Sequence, residues 1–162
     1  MGVTLTWQEE FSLVLAELLD ENLILLKERC DSKEELLEAM VNRLVQTGRV
    51  NDKEELLRIV LEREKIASTG FGRGVAMPHG RTEVVDRVVI VFARIDQGVD
   101  FGALDGKPVY LIFLLVTPER DTASYLMALA ELSRLLKKDS FREKLLHCQT
   151  AAEVIQAFRE EN

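Results

Sequence analysis

Pro78-His79-Gly80 presents an imidazole between a residue that fixes the chain's approach and one that permits a tight exit. Held in that way, one ring nitrogen can attack phosphorus near neutral pH while a hydrogen bond at the other sets the tautomer. The tripeptide ends the stretch Ser68-Thr69-Gly70-Phe71-Gly72-Arg73-Gly74-Val75-Ala76-Met77-Pro78-His79-Gly80, which gathers four of the chain's nine glycines and one of its three prolines. Gly70, Gly72 and Gly74 can take φ > 0, so successive N–H groups could converge into a nest that favours an anion. The spacing is neither the GxxxxGK[ST] of a P-loop nor the GxGxxG of a dinucleotide site, and neither ATP nor NAD binding follows from it. Arg63, Arg73, Arg81 and Arg87 lie near His79 in sequence, and guanidinium forks suit a transferring phosphoryl group. The residues alone leave a second reading open, a loop histidine that caps backbone carbonyls.

The elements that must hold this segment can be read from periodicity. Trp7, Phe11, Val14, Leu15 and Leu18 recur at helical spacing, predicting a helix from Thr6 to Leu19, and Leu23-Ile24-Leu25-Leu26 reads as a short strand. Ser32-Lys33-Glu34-Glu35 is a capping box opening a helix that ends at Gly48, and Asp52 with Glu55 opens another carrying Leu56, Ile59, Val60 and Ile66 inward. No regular element is expected to span 68–80 unbroken. Val84 to Ile95 and Pro108 to Thr117 are apolar and β-branched without alternation, as strands covered on both faces are, with a loop from Asp96 to Gly106 between them. A long helix from about Glu119 to Lys138 and two shorter ones follow, the last opened by Thr150-Ala151-Ala152-Glu153. The pattern predicts one α/β domain, a mixed central sheet with helices on both faces.

Composition narrows the function classes. The 162 residues are 47% hydrophobic and 30% charged, enough to bury roughly two-thirds of the unfolded surface in one core. The longest apolar runs fall short of the ~20 residues of a membrane span, and the N-terminal residues lack a signal pattern, so no membrane insertion and a cytoplasmic location are expected. A net charge of −7 argues against nucleic acid as the main partner. Cys30 and Cys148 stand alone, so neither a disulfide nor a metal site is expected, and nothing in the sequence calls for a cofactor.

The segment 68–80 closely resembles the phosphohistidine signature of enzyme IIA domains of the fructose–mannitol type, including the stand-alone nitrogen-regulatory branch. Arg63-Glu64 is similar to the pair preceding that signature, Gly98-Val99-Asp100-Phe101 and Leu104-Asp105-Gly106-Lys107-Pro108-Val109 to the family's loop, and Leu111 to Pro118 to its central strand. The likeness covers most of the chain, from about residue 18 to 162, leaving 1–17 as an added N-terminal helix. It implies a phosphocarrier in which His79 accepts a phosphoryl group from phosphorylated HPr or its nitrogen-branch paralogue. Passage onward to a IIB domain in sugar uptake, or a regulatory use, would follow. It further implies that Arg63 is the positive charge near the phosphoryl group and that Thr69 and the loop holding Gly70, Gly72 and Gly74 shape its pocket. Without the resemblance, Arg63 is equally a solvated or ion-paired charge. Arg73, Arg81 and Arg87 are weaker candidates.

The sequence departs from the family at one informative place. A second histidine usually begins the helix after the central strand; here Thr122-Ala123-Ser124-Tyr125-Leu126 puts Tyr125 there. A phenol can donate to a phosphoryl oxygen but cannot carry positive charge, and Tyr125 could equally be a core residue. The remaining histidine, His147, reads as a C-terminal helix residue. Two further classes stay open, a phosphorylation-deficient regulatory domain and a small-molecule sensor. Without fused IIB or IIC segments in the sequence, the regulatory branch is the favoured expectation.

Overall fold

The computed structural model describes residues 15–161. The expected helix Thr6 to Leu19 lies largely outside them; its residues 15–18 form α1, and Leu15, Ala16 and Leu19 are buried. A 3₁₀ turn, Glu21–Leu23, leads into β1 (Ile24–Leu25). That strand is shorter than the sequence suggests because the Asp20 carboxylate accepts the Asn22 N–H and turns the chain through Leu23. Helices α2 (Lys33–Gln46) and α3 (Lys53–Ile66) open as predicted, with Ser32 Oγ accepting from Glu35 N and Asp52 Oδ1 from Glu55 N, each at 3.1 Å.

The segment 68–80 contains three short strands, β2 (Gly70–Gly72), β3 (Val75–Ala76) and β4 (His79–Arg81), none of which spans it. The two long strands are β5 (Val89–Val99) and β6 (Val109–Thr117). β5 starts later than the expected Val84, because β6 ends at Thr117: with Val89 opposite Val116, the antiparallel register leaves no β6 residue facing 84–87. Arg120 instead holds that stretch as a turn by donating to the Glu83 carboxylate and the Asp86 carbonyl. At its other end β5 continues past a register shift after Arg94 to Val99, which pairs with Val109, so part of the expected loop is strand. Helices α4 (Thr122–Leu136), α5 (Asp139–His147) and α6 (Ala151–Arg159) complete the chain.

The sheet runs β1-β5-β6-β3-β2, with β4 also on β6. β5 and β6 are antiparallel, whereas β1 on β5 and both β3 and β4 on β6 are parallel, so the sheet is mixed as expected. Alternate residues of the central strand feed two cores. Leu111, Phe113 and Leu115 join Leu132 and Leu136 of α4, Phe141 of α5 and Phe158 of α6. Ile112, Leu114 and Val116 join Leu37, Met40 and Leu44 of α2 and Leu56 and Val60 of α3. Two-sided burial is why residues 89–93 of β5 and 111–116 of β6 are apolar without alternation. No helix among the described residues is long and apolar enough to cross a membrane.

Candidate functional site

β4 carries the site because it is a pleated strand pinned to the central strand. Leu115 N donates to Pro78 O at 3.0 Å, and His79, Gly80 and Arg81 pair with Leu115, Val116 and Thr117. Alternation sends His79 and Arg81 to one face and position 80 to the other. A Cβ at Gly80 would sit 3.1 Å from Val60 and 3.2 Å from Ile59, so the glycine is what lets α3 lie against this strand.

The His79 ring is half-buried, and its Nδ1 lies 3.3 Å from the Met77 carbonyl oxygen. A carbonyl can only accept, so Nδ1 carries the proton and Nε2 keeps the lone pair. Burial holds this imidazole below its ordinary value of 6.5; the Met77 hydrogen bond acts the other way, the Arg63 charge adds to the lowering and the Glu64 carboxylate opposes it. The ring is therefore uncharged at neutral pH. An NMR titration of its carbon-bound protons should give a midpoint below 6.5. The unfolded chain binds this proton first as pH falls, so stability rises with pH between the depressed midpoint and 6.5. A midpoint at or above that value would mean that the ring is solvated.

Tyr125, in the first turn of α4, lies with its ring centroid 5.4 Å from that of His79 and tilted by 49°. Asp121 caps the helix by accepting from Ser124 N at 3.0 Å. Arg81 clamps the same helix start: its Nη2 donates to Glu119 O at 2.7 Å and to Thr122 Oγ1 at 2.5 Å, and its guanidinium stands 5.5 Å from the Tyr125 ring centroid. Tyr125 is thus gripped between the two side chains that β4 turns to this face.

Arg63 ends α3 with Nη1 donating to Ala67 O at 2.9 Å, and its charge is felt by the His79 ring. Thr69 is held by Glu64, whose carboxylate accepts from Thr69 N at 3.0 Å and from Thr69 Oγ1 at 2.6 Å. Lys33 Nζ reaches the same carboxylate at 3.2 Å and the Phe101 carbonyl at 3.1 Å. The glycine loop is arranged differently from an open anion nest. Gly70 N donates to Ser68 Oγ at 3.0 Å, and Arg73 N donates to the Asp105 carboxylate at 3.2 Å. Gly72, Arg73 and Gly74 have φ of 104°, 60° and 76° and form the β2–β3 turn. That turn is remote from the imidazole: Val75 pairs with Leu111 while His79 pairs with Leu115, an offset of four residues or ~13 Å along β6. The structure sets Tyr125 against both His79 and Arg81, ties Thr69 to the strand before His79 through the Met77 N–Thr69 O bond, puts the Arg63 charge within influence of the imidazole, pairs Gly70 with Ala76, and leaves Gly72 and Gly74 at the turn.

Of the other expected positions, Arg73 caps the end of α4 through Lys137 O, Arg87 is exposed beside Asp86, and His147 ends α5 with Nδ1 on Glu143 O at 2.7 Å. Cys30 and Cys148 are free and buried, and burial together with Glu35, Glu28 and Asp31 pushes the Cys30 thiol up to about 11. Among the described residues no group of three or more His, Cys, Asp or Glu could hold a metal ion. Sequence reasoning missed the anchoring role of Glu64 and the clamp at Arg81. Both had a signal: Leu56, Val60 and Glu64 are spaced by four, which puts a carboxylate on the inward stripe of α3, and Arg81 lies two residues beyond His79 on a strand.

Residues 17–161 match the family profile described as phosphoenolpyruvate-dependent sugar phosphotransferase system, EIIA 2. The chain is 39% identical over 128 residues to a PTS system fructose-specific EIIA component of Haloferax volcanii, covering 79% of this chain and 83% of that one. Its fold is similar to that of the nitrogen regulatory protein IIA-Ntr from Neisseria meningitidis, with a TM-score of 0.84 and 35% identity over 90% of this chain and 99% of the other. It is also similar to a chain in the complex of enzyme IIAMTL with phosphorylated enzyme IIBMTL from Escherichia coli, with a TM-score of 0.76 and 25% identity, covering 88% and 97%.

Proposed function

Since the chain belongs to the EIIA 2 family of the phosphoenolpyruvate-dependent sugar phosphotransferase system, we propose that it is a phosphocarrier whose acceptor atom is Nε2 of His79. The observation that carries this reading is the hydrogen bond from Nδ1 to the Met77 carbonyl, which reserves Nε2 as the nucleophile on a ring that burial keeps uncharged. In the transfer, the Nε2 lone pair forms a bond to phosphorus as the N–P bond of the donor's phosphohistidine breaks, and that bond's electron pair returns to the donor ring. His79 keeps its Nδ1 proton, so the positive charge arising on the phosphorylated ring is met by the Met77 carbonyl dipole. Arg63, with Nη1 engaged by Ala67 O, offers its remaining donors to the phosphoryl oxygens, and the Tyr125 hydroxyl offers one more.

The donor on this reading is phosphorylated HPr or its nitrogen-branch paralogue, and the onward acceptor is a IIB domain or a regulated target. The test is incubation with phosphoenolpyruvate, enzyme I and HPr, followed by intact mass and mapping of the modified residue. A gain of one acid-labile phosphoryl group on His79 is expected; no gain, or a gain on His147, would overturn the assignment. Tyr125 favours the regulatory use. A phenol beside the phosphohistidine gives no cationic help to the departing group, which suits a mark that persists better than a carrier that must turn over with each imported sugar.

A further inference from the structure

The pairing of β2 with β3 lacks one bond that its geometry calls for. Gly70 is the partner of Ala76, which sets Thr69 opposite Met77 in an antiparallel register. Directly opposed residues at such a position exchange two hydrogen bonds, each N–H going to the other's carbonyl. Only one is made: Met77 N donates to Thr69 O at 3.2 Å. The Thr69 N–H turns instead to Glu64 Oε1 at 3.0 Å, and the Thr69 hydroxyl to Glu64 Oε2 at 2.6 Å. The Met77 carbonyl is left to the His79 ring, whose Nδ1 takes it at 3.3 Å.

Resting on the phosphocarrier reading of His79, we propose that Glu64 is a positioning residue that sets the tautomer of the nucleophile, by drawing the Thr69 N–H away from the Met77 carbonyl and so reserving that carbonyl for Nδ1–H. Glu64 is suited to this because it is fixed from three directions. It projects from the inward stripe of α3, its side chain is 3% exposed, and Lys33 Nζ pins Oε1 at 3.2 Å while itself donating to Phe101 O. A carboxylate accepts only, so it can take both Thr69 donors at once without competing for Met77 as a donor. The path runs from α2 through α3 to the loop before β2, then across to β3 and the imidazole, and each step is a hydrogen bond with a defined donor.

Removal of the carboxylate frees the Thr69 N–H to complete its exchange with Met77 O, and the imidazole must then share its sole acceptor among the described residues with a main-chain donor, which weakens the hold on Nδ1–H. The experiment reads the imidazole of the unphosphorylated full chain by two-bond ¹H–¹⁵N correlation above its titration midpoint. The wild type should show one tautomer, with the proton on Nδ1. Glu64→Ala should show both tautomers, and Glu64→Gln, whose amide oxygen can still accept the Thr69 N–H, should keep the wild-type pattern. Should Glu64→Ala not fold, Glu64→Leu combined with Lys33→Met removes both charges while filling the space, and it should show the same mixture. A single Nδ1–H tautomer in the alanine or leucine variant would overturn the proposal, as would a mixed population in the wild type. The measurement needs no donor protein. A protein that accepts no phosphoryl group yet shows this dependence on residue 64 would defeat the phosphocarrier reading and leave the tautomer proposal standing.

Discussion

His79→Ala accepts no phosphoryl group while keeping the wild-type fold. The loss is expected to be complete because no second group in the site can substitute for the imidazole. A phenol hydroxyl is a poor nucleophile towards phosphorus, the Thr69 hydroxyl is engaged by Glu64, and the guanidinium groups of Arg63 and Arg81 are donors with no lone pair to offer. The fold should survive because the strand is held by main-chain pairing to β6 and by Gly80 against α3, neither of which uses the imidazole. The ring contributes packing against Tyr125 and one bond to Met77, so a cost of about 1–2 kcal/mol in stability is the scale to expect. Intact mass after incubation with phosphoenolpyruvate, enzyme I and HPr checks the first part, and urea unfolding the second. Acid-labile label on the alanine variant would place the chemistry elsewhere.

Tyr125→His should speed onward transfer of the phosphoryl group to a IIB domain. The rings of residues 79 and 125 are already in contact at 5.4 Å, so a histidine at 125 would stand within reach of the phosphoryl oxygens without any rearrangement of α4. It would supply what the phenol cannot, a donor that can become positively charged as negative charge moves onto the leaving group. A placed general acid or base typically contributes roughly 10²–10⁴-fold, and a group introduced into a site not shaped for it should realise about tenfold or more. Single-turnover chase of labelled protein with an unlabelled IIB domain measures it. Equal rates in the two proteins would remove the support that Tyr125 gives to a regulatory use, while leaving acceptance at His79 untouched.

Much of the scaffold could be read from residue order because its signals are local. Ser32, Asp52 and Thr150 each cap the helix they were expected to cap, and the unbroken apolar character of residues 109–117 announced a strand buried on both faces. The errors lie where a distant element decides. Nothing within residues 84–88 says that β6 will end at Thr117, and nothing within Asp96–Gly106 says that Val99 will find Val109. In the site, the imidazole and its tyrosine neighbour were legible as residue types, but the fate of the glycine loop was not. Whether its N–H groups face solvent or an internal acceptor depends on Asp105, which lies 32 residues away from Arg73 and carries no mark of that task.

The clamp made by Arg81 has a consequence for how such a site can diverge. Its two hydrogen bonds go to the Glu119 carbonyl and the Thr122 hydroxyl, and the Asp121 cap closes on Ser124 N, so the hydrogen bonds that seat the start of α4 do not use the side chain at 125, which adds only ring contacts to His79 and Arg81. Position 125 is therefore a socket placed by hydrogen bonds that its own side chain does not make. On the phosphocarrier reading, a change at this one position would lengthen or shorten the lifetime of the phosphorylated state while the main-chain pairing that holds the acceptor's strand stays as it is. On that reading, how long the phosphoryl group stays and where it is received would be separable properties of the fold.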